Sequence, residues 1–328
     1  MIEIIKNPNI AFIPKRKYTF ILSGVLVLLG VLGFIFILIG KANMGMDFTG
    51  GAEIIGKFDK PVTAQELRNA LSDVGYAQAT IQSVSGHGFE NSFIIRVQGK
   101  IENAVPDTTI TAEGKTVVNM IAAEGDKLAT LLKEAIASHF GDNKFRLDST
   151  NNISGKVGEQ LAKDATWAVI LAFLGIMIYI WIRFDFRFGV ASTVATFHDV
   201  LVMLGIYFIL QREVSLLFIT ALLTIAGYSL TDKVVVFDRI RENLKQFRKR
   251  SDYGTTVNNS INEVLSRTII TSFTTVLAVL AILIFGGKIL FDFALALIIG
   301  IMVGTYSSIF LASPILVEWE NRSPRRVK

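Results

Sequence analysis

The sequence predicts a polytopic α-helical membrane protein with six transmembrane helices and one extracytoplasmic α+β domain between the first and second helices. The 328 residues are 51% hydrophobic and only 19% charged, and their mean hydropathy is +0.50. In soluble proteins about a quarter of the residues are charged. Six long apolar stretches and one polar stretch, residues 41–163, complete the pattern. Because cysteine is absent, disulfides, thiolate zinc sites and cysteine nucleophiles are excluded.

Each apolar stretch is long enough for a transmembrane helix, which needs about 20 residues to cross the hydrocarbon core. The six predicted spans are Tyr18–Ile39, Ala165–Ile182, Phe188–Leu210, Val214–Phe237, Thr268–Phe285 and Ile289–Leu311. The first follows Lys15-Arg16-Lys17, as a secretory signal would. However, its apolar core exceeds the roughly 7 to 15 residues of a signal, and no small-residue cleavage site follows. We therefore interpret it as a retained helix.

Basic residues near the ends of the spans predict the orientation. Seventeen Lys and Arg lie in the two tails and in the loops of one side, whereas the opposite short loops contain only Arg212 and Lys288. Because positively charged loops stay in the cytoplasm, we expect both termini to be cytoplasmic. The run Arg248-Lys249-Arg250 is interpreted as a topology anchor rather than a nucleic-acid site. The predicted division is a cytoplasmic N-terminus (1–17), the first helix (18–40), the extracytoplasmic domain (41–163), a five-helix bundle (164–313) with a basic cytoplasmic loop (239–267), and a cytoplasmic tail (314–328).

The extracytoplasmic domain is predicted to have the ferredoxin-like order βαββαβ. The expected strands are Ala52–Phe58, Ala79–Val84, Ser92–Gln98 and Lys144–Ser149, and the expected helices are Thr63–Asp73 and Ala122–His139. Thr63 and Glu66 have the spacing of a capping box. Residues 104–119 are additional to this order and predict an inserted hairpin around Glu113-Gly114. We interpret His87 and His139 as surface histidines rather than ligands.

Two near matches to phosphate-binding loops argue against nucleotide hydrolysis. The segment from Gly51 to Lys57 has the glycine spacing of such a loop, but Phe58 stands where a magnesium-binding Ser or Thr is needed. Gly114-Lys115-Thr116 lacks the earlier glycine, which is Thr109 here. The sequence contains no hydrolase triad and no metal-binding motif. We expect a protein that is not an enzyme and has no metal or cofactor.

Asp199 is the most informative residue because it lies 11 residues into the third span, roughly 16 Å deep at about 1.5 Å per residue. It shares a helical face with Ser192, Thr196 and Met203, whereas His198 points about 100° away. Ionisable side chains at such depth are costly and mark ion or proton pathways. We interpret Asp199 as a proton site and His198 as a weaker candidate. The alternative is a permanently protonated acid in a structural hydrogen bond.

Asp232 and Arg239, near the cytoplasmic end of the fourth span, are further proton-pathway candidates, and Asp232 is the weaker of the two. They are seven residues apart and share a helical face, whereas the neighbours Asp232 and Lys233 do not. An interfacial anchor is an equally good interpretation of Arg239. Asp292, at the outer end of the sixth span, is interpreted as interfacial.

Small and hydroxyl residues form stripes on two predicted spans. Ala296, Gly300, Gly304 and Ser308 recur every four residues in the sixth span, a pattern that allows helices to approach closely. Thr268, Ser272 and Thr275 place hydroxyl groups on one face of the fifth span. We interpret both stripes as helix-packing surfaces rather than conduction pathways.

Four motifs in order resemble the SecF family. They are Asp47-Phe48-Thr49-Gly50-Gly51 after the first span, Phe197-His198-Asp199-Val200 in the third, the block from Gly227 to Asn243 that leaves the fourth, and Arg267-Thr268 at the start of the fifth. This family is the smaller membrane subunit of the bacterial SecDF protein-export complex, related to the resistance-nodulation-division transporters. The resemblance extends from the first span to the sixth, and the long block ending in Asp-Arg-Ile-Arg-Glu-Asn is its most specific part.

The resemblance implies a bacterial inner-membrane protein that works with SecD, the SecYEG translocon, YajC and translocating preproteins. It implies that the proton-motive force helps to pull preproteins outward. The family's membrane aspartate and arginine correspond to Asp199 and Arg239. Lys233 departs from the usual Ser or Thr after Asp232, which puts a proton role for Asp232 in doubt. Two alternatives remain open: a proton-coupled exporter of small molecules or lipids, and a structural subunit that moves no protons.

Overall fold

The protein divides into two compact units in the computed structural model, which describes residues 8–73, 75–77, 79–84, 91–98, 108–110, 116–118, 120–246 and 252–324. The helical unit consists of Met1–Asn43 and Trp167–Lys328, and the sheet unit consists of Met44–Thr166. Both units have their own cores, so each is described by itself.

The described residues form helices and strands in the order expected for a membrane bundle interrupted by an α+β domain. The α-helices are α1 (Arg16–Leu38), α2 (Met46–Thr49), α3 (Ala64–Ser72), α4 (Met120–Phe140), α5 (Gly155–Arg183), α6 (Phe186–Ile209), α7 (Leu216–Gln246), α8 (Tyr253–Phe285), α9 (Gly287–Ser307) and α10 (Ser313–Arg322). The strands are β1 (Gly51–Phe58), β2 (Thr80–Val84), β3 (Ser92–Gln98), β4 (Thr108–Ile110), β5 (Thr116–Val118) and β6 (Phe145–Ile153). Six helical segments are long and apolar enough to cross a membrane, which confirms the predicted fold class.

The sheet unit contains a four-stranded antiparallel sheet with the order β2-β3-β1-β6. This is the strand order of a split βαβ fold, so the ferredoxin-like prediction is confirmed. The segment from Gly51 to Lys57, which has the glycine spacing of a phosphate-binding loop, is part of strand β1. This strand pairs with β3 on one side and with β6 on the other. β4 and β5 pair as a separate antiparallel ribbon within the predicted insertion, whereas Glu113-Gly114 lies outside the described residues.

Alternating apolar residues of the sheet pack against α3 and α4 to form the core of the sheet unit. Leu67 and Leu71 on α3 and Leu132 and Ile136 on α4 are fully buried in this core. The predicted capping box is present: Thr63 accepts from the amide of Glu66, whose carboxylate accepts from the Thr63 amide and hydroxyl. These bonds lower the pKa of Glu66, because they stabilise its ionised form.

Of the two predicted surface histidines, His139 lies near the end of α4. Its Nδ1 is 3.6 Å from an Asp73 carboxylate oxygen, and its side chain is 41% exposed, as expected for a surface position. His87 lies outside the described residues.

In the helical unit, α6, α7 and α9 are the most buried of the membrane-length helices, and α1, α5 and α8 are the most exposed. α6 packs on α1, α7 and α9, and α8 packs on α7 and α9. The exposed side chains of α1 and α5 are mostly large and apolar, as lipid-facing residues are. The three central helices therefore supply the interior in which polar side chains can meet.

Most of the predicted spans are shorter than the corresponding helices, because hydropathy detects only the apolar part of a helix. α7 continues to Gln246, and α8 begins at Tyr253 with the side chain of Asp252 as its N-cap. The segment 239–267, predicted as a loop, is therefore helical at both ends, and Arg248-Lys249-Arg250 lies outside the described residues. Most of the predicted tail is likewise helical, in α10.

Candidate functional site: a buried charge centre

A cluster of polar side chains lies where α6, α7 and α9 meet. Its middle is Asp199 on α6, which is fully buried. Oδ2 of Asp199 accepts hydrogen bonds from Lys233 Nζ at 2.7 Å, Ser229 Oγ at 2.5 Å and Ser307 Oγ at 2.8 Å. Nδ1 of His198 lies 3.0 Å from Oδ1 of Asp199. These five residues are the charge centre.

Lys233 is the cation of the charge centre, and its side chain is as fully buried as that of Asp199. From the sequence, Lys233 is expected to act on its chain neighbour Asp232. The structure instead directs its ammonium group to Asp199 and to the hydroxyl of Ser229. A buried ammonium group without a partner would strongly destabilise the fold. The ion pair with Asp199 therefore allows Lys233 to lie inside the bundle.

Helical spacing and small residues bring the members of the charge centre together. Ser229 and Lys233 are four residues apart on α7 and therefore share a face. A Cβ atom at Gly304 of α9 would lie 2.8 Å from Ser229 Oγ and 2.9 Å from its Cβ. Glycine at this position lets α9 approach α7, which places Ser307 one turn further along within reach of Asp199.

His198 belongs to the same cluster, although its Cα–Cβ bond points about 100° around the helix axis from that of Asp199. Nδ1 of the ring turns back to Asp199, and the side chain is 3% exposed. Nε2 is buried and has no hydrogen-bond partner among the described residues. The ring faces Tyr306 on α9, with 6.3 Å between the ring centroids.

Asp232 lies in a second buried polar group, between α7, α8 and α9. Its Oδ2 accepts from Thr305 Oγ1 at 3.3 Å and from Ser272 Oγ at 3.5 Å, and these two hydroxyls are 2.6 Å apart. Neighbouring residues of a helix point in different directions, so Asp232 faces α8 while Lys233 faces α6. Among the described residues, the hydrogen-bonding neighbours of Asp232 are therefore neutral hydroxyls.

Arg239 does not join the charge centre, and its role in a proton pathway stays a prediction. Its guanidinium group donates to Glu242 at 2.7 Å and to Glu263 of α8 at 2.5 Å. Its side chain is 36% exposed, and it shares Glu263 with the amide of Asn243. Two carboxylates close to the helix surface hold Arg239 there, and the cation beside Asp199 is Lys233.

The small-residue stripe of α9 faces α7. Ala296 and Ser308 are fully buried, a Cβ atom at Gly300 would meet Ile225, and one at Gly304 would meet Ser229. α9 then passes into one π-helical turn, Ser308–Ala312. The hydroxyl of Ser313 donates to the Ser308 carbonyl at 2.9 Å. The contribution of the stripe to assembly stays a prediction.

The hydroxyl stripe of α8 is divided between different partners. Ser272 belongs to the Asp232 group, and Thr275 Oγ1 accepts a hydrogen bond from the Tyr228 hydroxyl at 3.3 Å. Thr268 is buried, and its hydroxyl has no partner in the described part of the chain.

The segment Asp47-Phe48-Thr49-Gly50-Gly51 forms α2 and the turn into β1 in the sheet unit. Gly50 has a φ of +74°, which favours glycine, and a Cβ atom there would collide with the backbone of Gly155. A Cβ atom at Gly158 would lie 2.8 Å from the carbonyl oxygen of Phe48. The motif is therefore a tight backbone junction between the start of the sheet and the first turns of α5.

Asp292, interpreted from the sequence as interfacial, forms an ion pair with Arg212 near the start of α9. Both side chains are partly exposed, Asp292 by 28% and Arg212 by 35%. Within the described ranges there is no group of three or more His, Cys, Asp and Glu residues that could hold a metal ion.

The charges of Lys233 and Asp199 balance each other when Asp199 is ionised. A neutral Asp199 would leave the ammonium group of Lys233 without a counter-ion in a buried site. An uncompensated buried charge costs several kcal/mol, so the helices would have to rearrange. Asp199 and Lys233 are on α6 and α7, so the change acts between two central helices.

The fold and the charge centre define a class of proteins: polytopic membrane proteins that hold an ion pair inside a helical bundle and carry an α+β domain after the first helix. Residues 132–322 match the family described as "Protein export membrane protein SecD/SecF, C-terminal". The chain belongs to the SecF family of protein translocase subunits, because full-length relatives that carry this name are also similar to it.

Two such relatives show the extent of the similarity. Protein translocase subunit SecF of Thermodesulfovibrio yellowstonii is 43% identical over 97% of this chain and 97% of its own length. The subunit of the same name from Petrotoga mobilis is 37% identical over 98% of this chain and 99% of its own. The similarity therefore includes both units.

Solved structures of SecDF are similar in fold. The crystal structure of SecDF from Thermus thermophilus, described as a translocon-associated membrane protein, matches with a TM-score of 0.76 and 34% sequence identity. The match covers 96% of this chain and 39% of that chain. A second SecDF structure, in a super-membrane-facing form, matches with a TM-score of 0.66. This chain therefore spans well under half of the SecDF chain.

Proposed function

We propose that this chain works with SecD as an accessory subunit of the Sec translocase and uses the proton-motive force to promote late steps of preprotein translocation. The observation that carries the proposal is the fully buried ion pair of Asp199 and Lys233. Ionisable groups inside a membrane bundle are costly and serve ion or proton pathways. Membership of the SecF family supports the transport role, in which the chain is a component of a transporter rather than an enzyme.

In this proposal Asp199 takes up a proton, the pair with Lys233 breaks, and the central helices move. Release of the proton restores the pair. One elementary charge that crosses the membrane potential supplies about 2.3 kcal/mol per 100 mV. That energy reaches the preprotein through rearrangement of the helices that carry the charge centre.

The proposed setting is the bacterial inner membrane, with SecD as the partner. The SecDF structures support this partnership, since this chain matches one part of a longer SecDF chain. SecYEG, YajC and the preprotein complete the proposed assembly.

Asp199→Asn tests the function because asparagine keeps the size and hydrogen bonds of the side chain but cannot ionise. Because this variant leaves the Lys233 ammonium group without its counter-ion, export is compared at equal levels of assembled complex, and we expect it to be slower. Asp292→Asn is the matched control, because it also removes one carboxylate from an ion pair, but a partly exposed one. Export at the wild-type rate in Asp199→Asn would favour a purely structural subunit.

The proposed orientation can be tested with single cysteines, since the natural chain has none. Ala137 on α4 and Gln246 at the end of α7 are both exposed. We expect Ala137→Cys to react with an impermeant thiol reagent from outside the cell, and Gln246→Cys only after the cytoplasmic face is opened. The reason is the excess of basic residues on the side of Gln246. Reaction of both from the same side would rule out this topology.

A further inference from the structure

The buried Nε2 atom of His198 is a proton acceptor or donor that the charge centre itself does not use. The side chain is 3% exposed, and Nδ1 is occupied by Asp199. When Asp199 is ionised, Nδ1 carries the hydrogen, so Nε2 presents a lone pair. Buried polar atoms almost always have a partner, either protein or ordered water. A lone pair without a protein partner therefore indicates a water site beside the ring.

A line of hydroxyl groups continues from this ring toward the start of α1. Tyr306 faces His198, and its hydroxyl is 3.2 Å from Ser23 Oγ and donates to the Thr19 carbonyl at 3.2 Å. Thr19 Oγ1 in turn lies within 2.9 Å of the Arg16 carbonyl and 3.0 Å of the Phe310 carbonyl. Ser23 is 3% exposed. Hydroxyl groups thus lie between the middle of the bundle and the first turn of α1, and Tyr306 and Ser23 are the two whose hydroxyls contact each other directly.

We propose that His198 is the relay through which Asp199 exchanges protons with water at the end of the bundle where α1 begins. In this proposal one ordered water joins Nε2 to the hydroxyls of Tyr306 and Ser23, and further water joins these hydroxyls to the solvent at that end. This inference rests on the proposed function, since it assigns the route by which one side of the membrane reaches the proton site. In the proposed orientation, that side is the cytoplasm.

The exchange balances without any other reactant. The water gives a proton to Nε2, and the hydrogen on Nδ1 passes to Oδ1 of Asp199. The ring remains neutral, with its hydrogen now on Nε2, and Asp199 becomes a neutral carboxyl group. The hydroxyls of Tyr306 and Ser23 return a proton to this water and are reprotonated from the solvent at the end of the bundle where α1 begins, so that solvent loses one proton for each proton that Asp199 gains. The reverse sequence returns the proton to the same side.

The groups that face His198 suit this role. In the described part of the chain they are Asp199 on its own helix, Lys233 on α7 through Asp199, and Tyr306 on α9. α1 contributes only hydroxyls and apolar side chains here, because it has no charged residue between Lys17 and Lys41. One carboxylate therefore lies beside the ring, and one ammonium group lies behind that carboxylate.

The test is the rate at which Asp199 becomes protonated after a pH drop on the cytoplasmic face. The complex with SecD is reconstituted in vesicles with that face outward, and the carboxyl C=O band that Asp199→Asn removes is followed by time-resolved infrared spectroscopy. His198→Gln can still donate a hydrogen bond to Oδ1 but cannot relay a proton. We expect it to slow the appearance of the band by about 10²-fold, the usual contribution of a positioned acid or base. The equilibrium pH midpoint of the band should change little.

Tyr306→Phe and Ser23→Ala provide a second test that does not alter His198, and both should also slow protonation. Tyr207→Phe is the matched control, since Tyr207 is a buried tyrosine on α6 that donates to the Asp292 carbonyl, away from this line. Its rate should equal that of the wild type.

Wild-type rates in both His198→Gln and Tyr306→Phe would overturn the relay and leave the proposed function standing. If His198→Gln fails to assemble, the rates of Tyr306→Phe and Ser23→Ala decide the question. Absence of any Asp199 band in the wild type at low pH would instead refute the proton role of Asp199 itself.

Discussion

Replacement of Lys233 by methionine is expected to destabilise the protein by about 3–5 kcal/mol, the cost of breaking a buried ion pair by removing one partner. Methionine fills a similar volume, so the effect comes from the charge rather than from a cavity. Asp199 would keep the donors Ser229, Ser307 and His198 but lose its only cation among the described residues. Thermal unfolding of the purified complex in mild detergent measures the loss.

The double variant Asp199→Asn with Lys233→Met is the control, because it removes both charges. We expect it to recover most of the lost stability, since neutral replacement of a whole buried pair costs little. A double-mutant cycle then gives the coupling energy between the two residues. Equal destabilisation by the single and double variants would contradict the ion pair as the source of the effect.

Replacement of Gly30 by valine is expected to prevent normal packing of α1 on α6. A Cβ atom at Gly30 would overlap the backbone carbonyl of Leu201, and one at Gly205 would lie 2.7 Å from the Gly30 amide nitrogen. Backbone atoms cannot move aside as a side chain can, so the cost should reach or exceed the usual 1–3 kcal/mol or so of overpacking. We expect loss of folded subunit, measured as the yield of monodisperse protein in mild detergent.

Gly24 offers a matched control on the same helix. A Cβ atom there has no atom within 4 Å apart from its own helix, so Gly24→Val should give the wild-type yield. The two variants differ by less than two turns in position and have the same change in hydrophobicity. Similar yields for both would show that α1 does not need the close approach at Gly30.

The fold could be predicted from the sequence because its signals are strong and local. Six apolar stretches define the membrane helices, and alternating patterns with a Thr63 capping box define the sheet unit. The ends of the helices could not be predicted from hydropathy. α7 and α8 continue past the apolar region on polar residues such as Arg239, which pairs with both Glu242 and Glu263.

The site could be predicted only in part, because side-chain pairing between helices has no local signal. Asp199 stands out by its depth, but its partner Lys233 is 34 positions along the chain and on another helix. The sequence does contain one signal for Lys233. This lysine lies in the predicted fourth span, directly before the apolar run Val234-Val235-Val236, where an ammonium group needs a partner of opposite charge. The correspondence of Arg239 to the family's arginine does not say which cation faces the aspartate.

The pairing of His198 with Asp199 shows a second limit of helical geometry. Adjacent residues diverge by about 100° at Cα, yet an imidazole ring is long enough for Nδ1 to return to the neighbouring carboxylate at 3.0 Å. Rotamers therefore decide contacts that a helical wheel excludes. Asp232 and Lys233 are also adjacent, but their side chains remain apart. Asp232 accepts hydrogen bonds from the hydroxyls of Ser272 on α8 and Thr305 on α9 instead.

We propose that the buried charge centre couples a proton gradient to protein export. The most direct measurement is completion of export in membrane vesicles, with and without an imposed proton gradient, for the wild type and Asp199→Asn at equal amounts of assembled complex. We predict that the gradient accelerates completion in the wild type and has no effect in Asp199→Asn. An unchanged response to the gradient in the variant would contradict the claim and leave Asp199 as a packing residue.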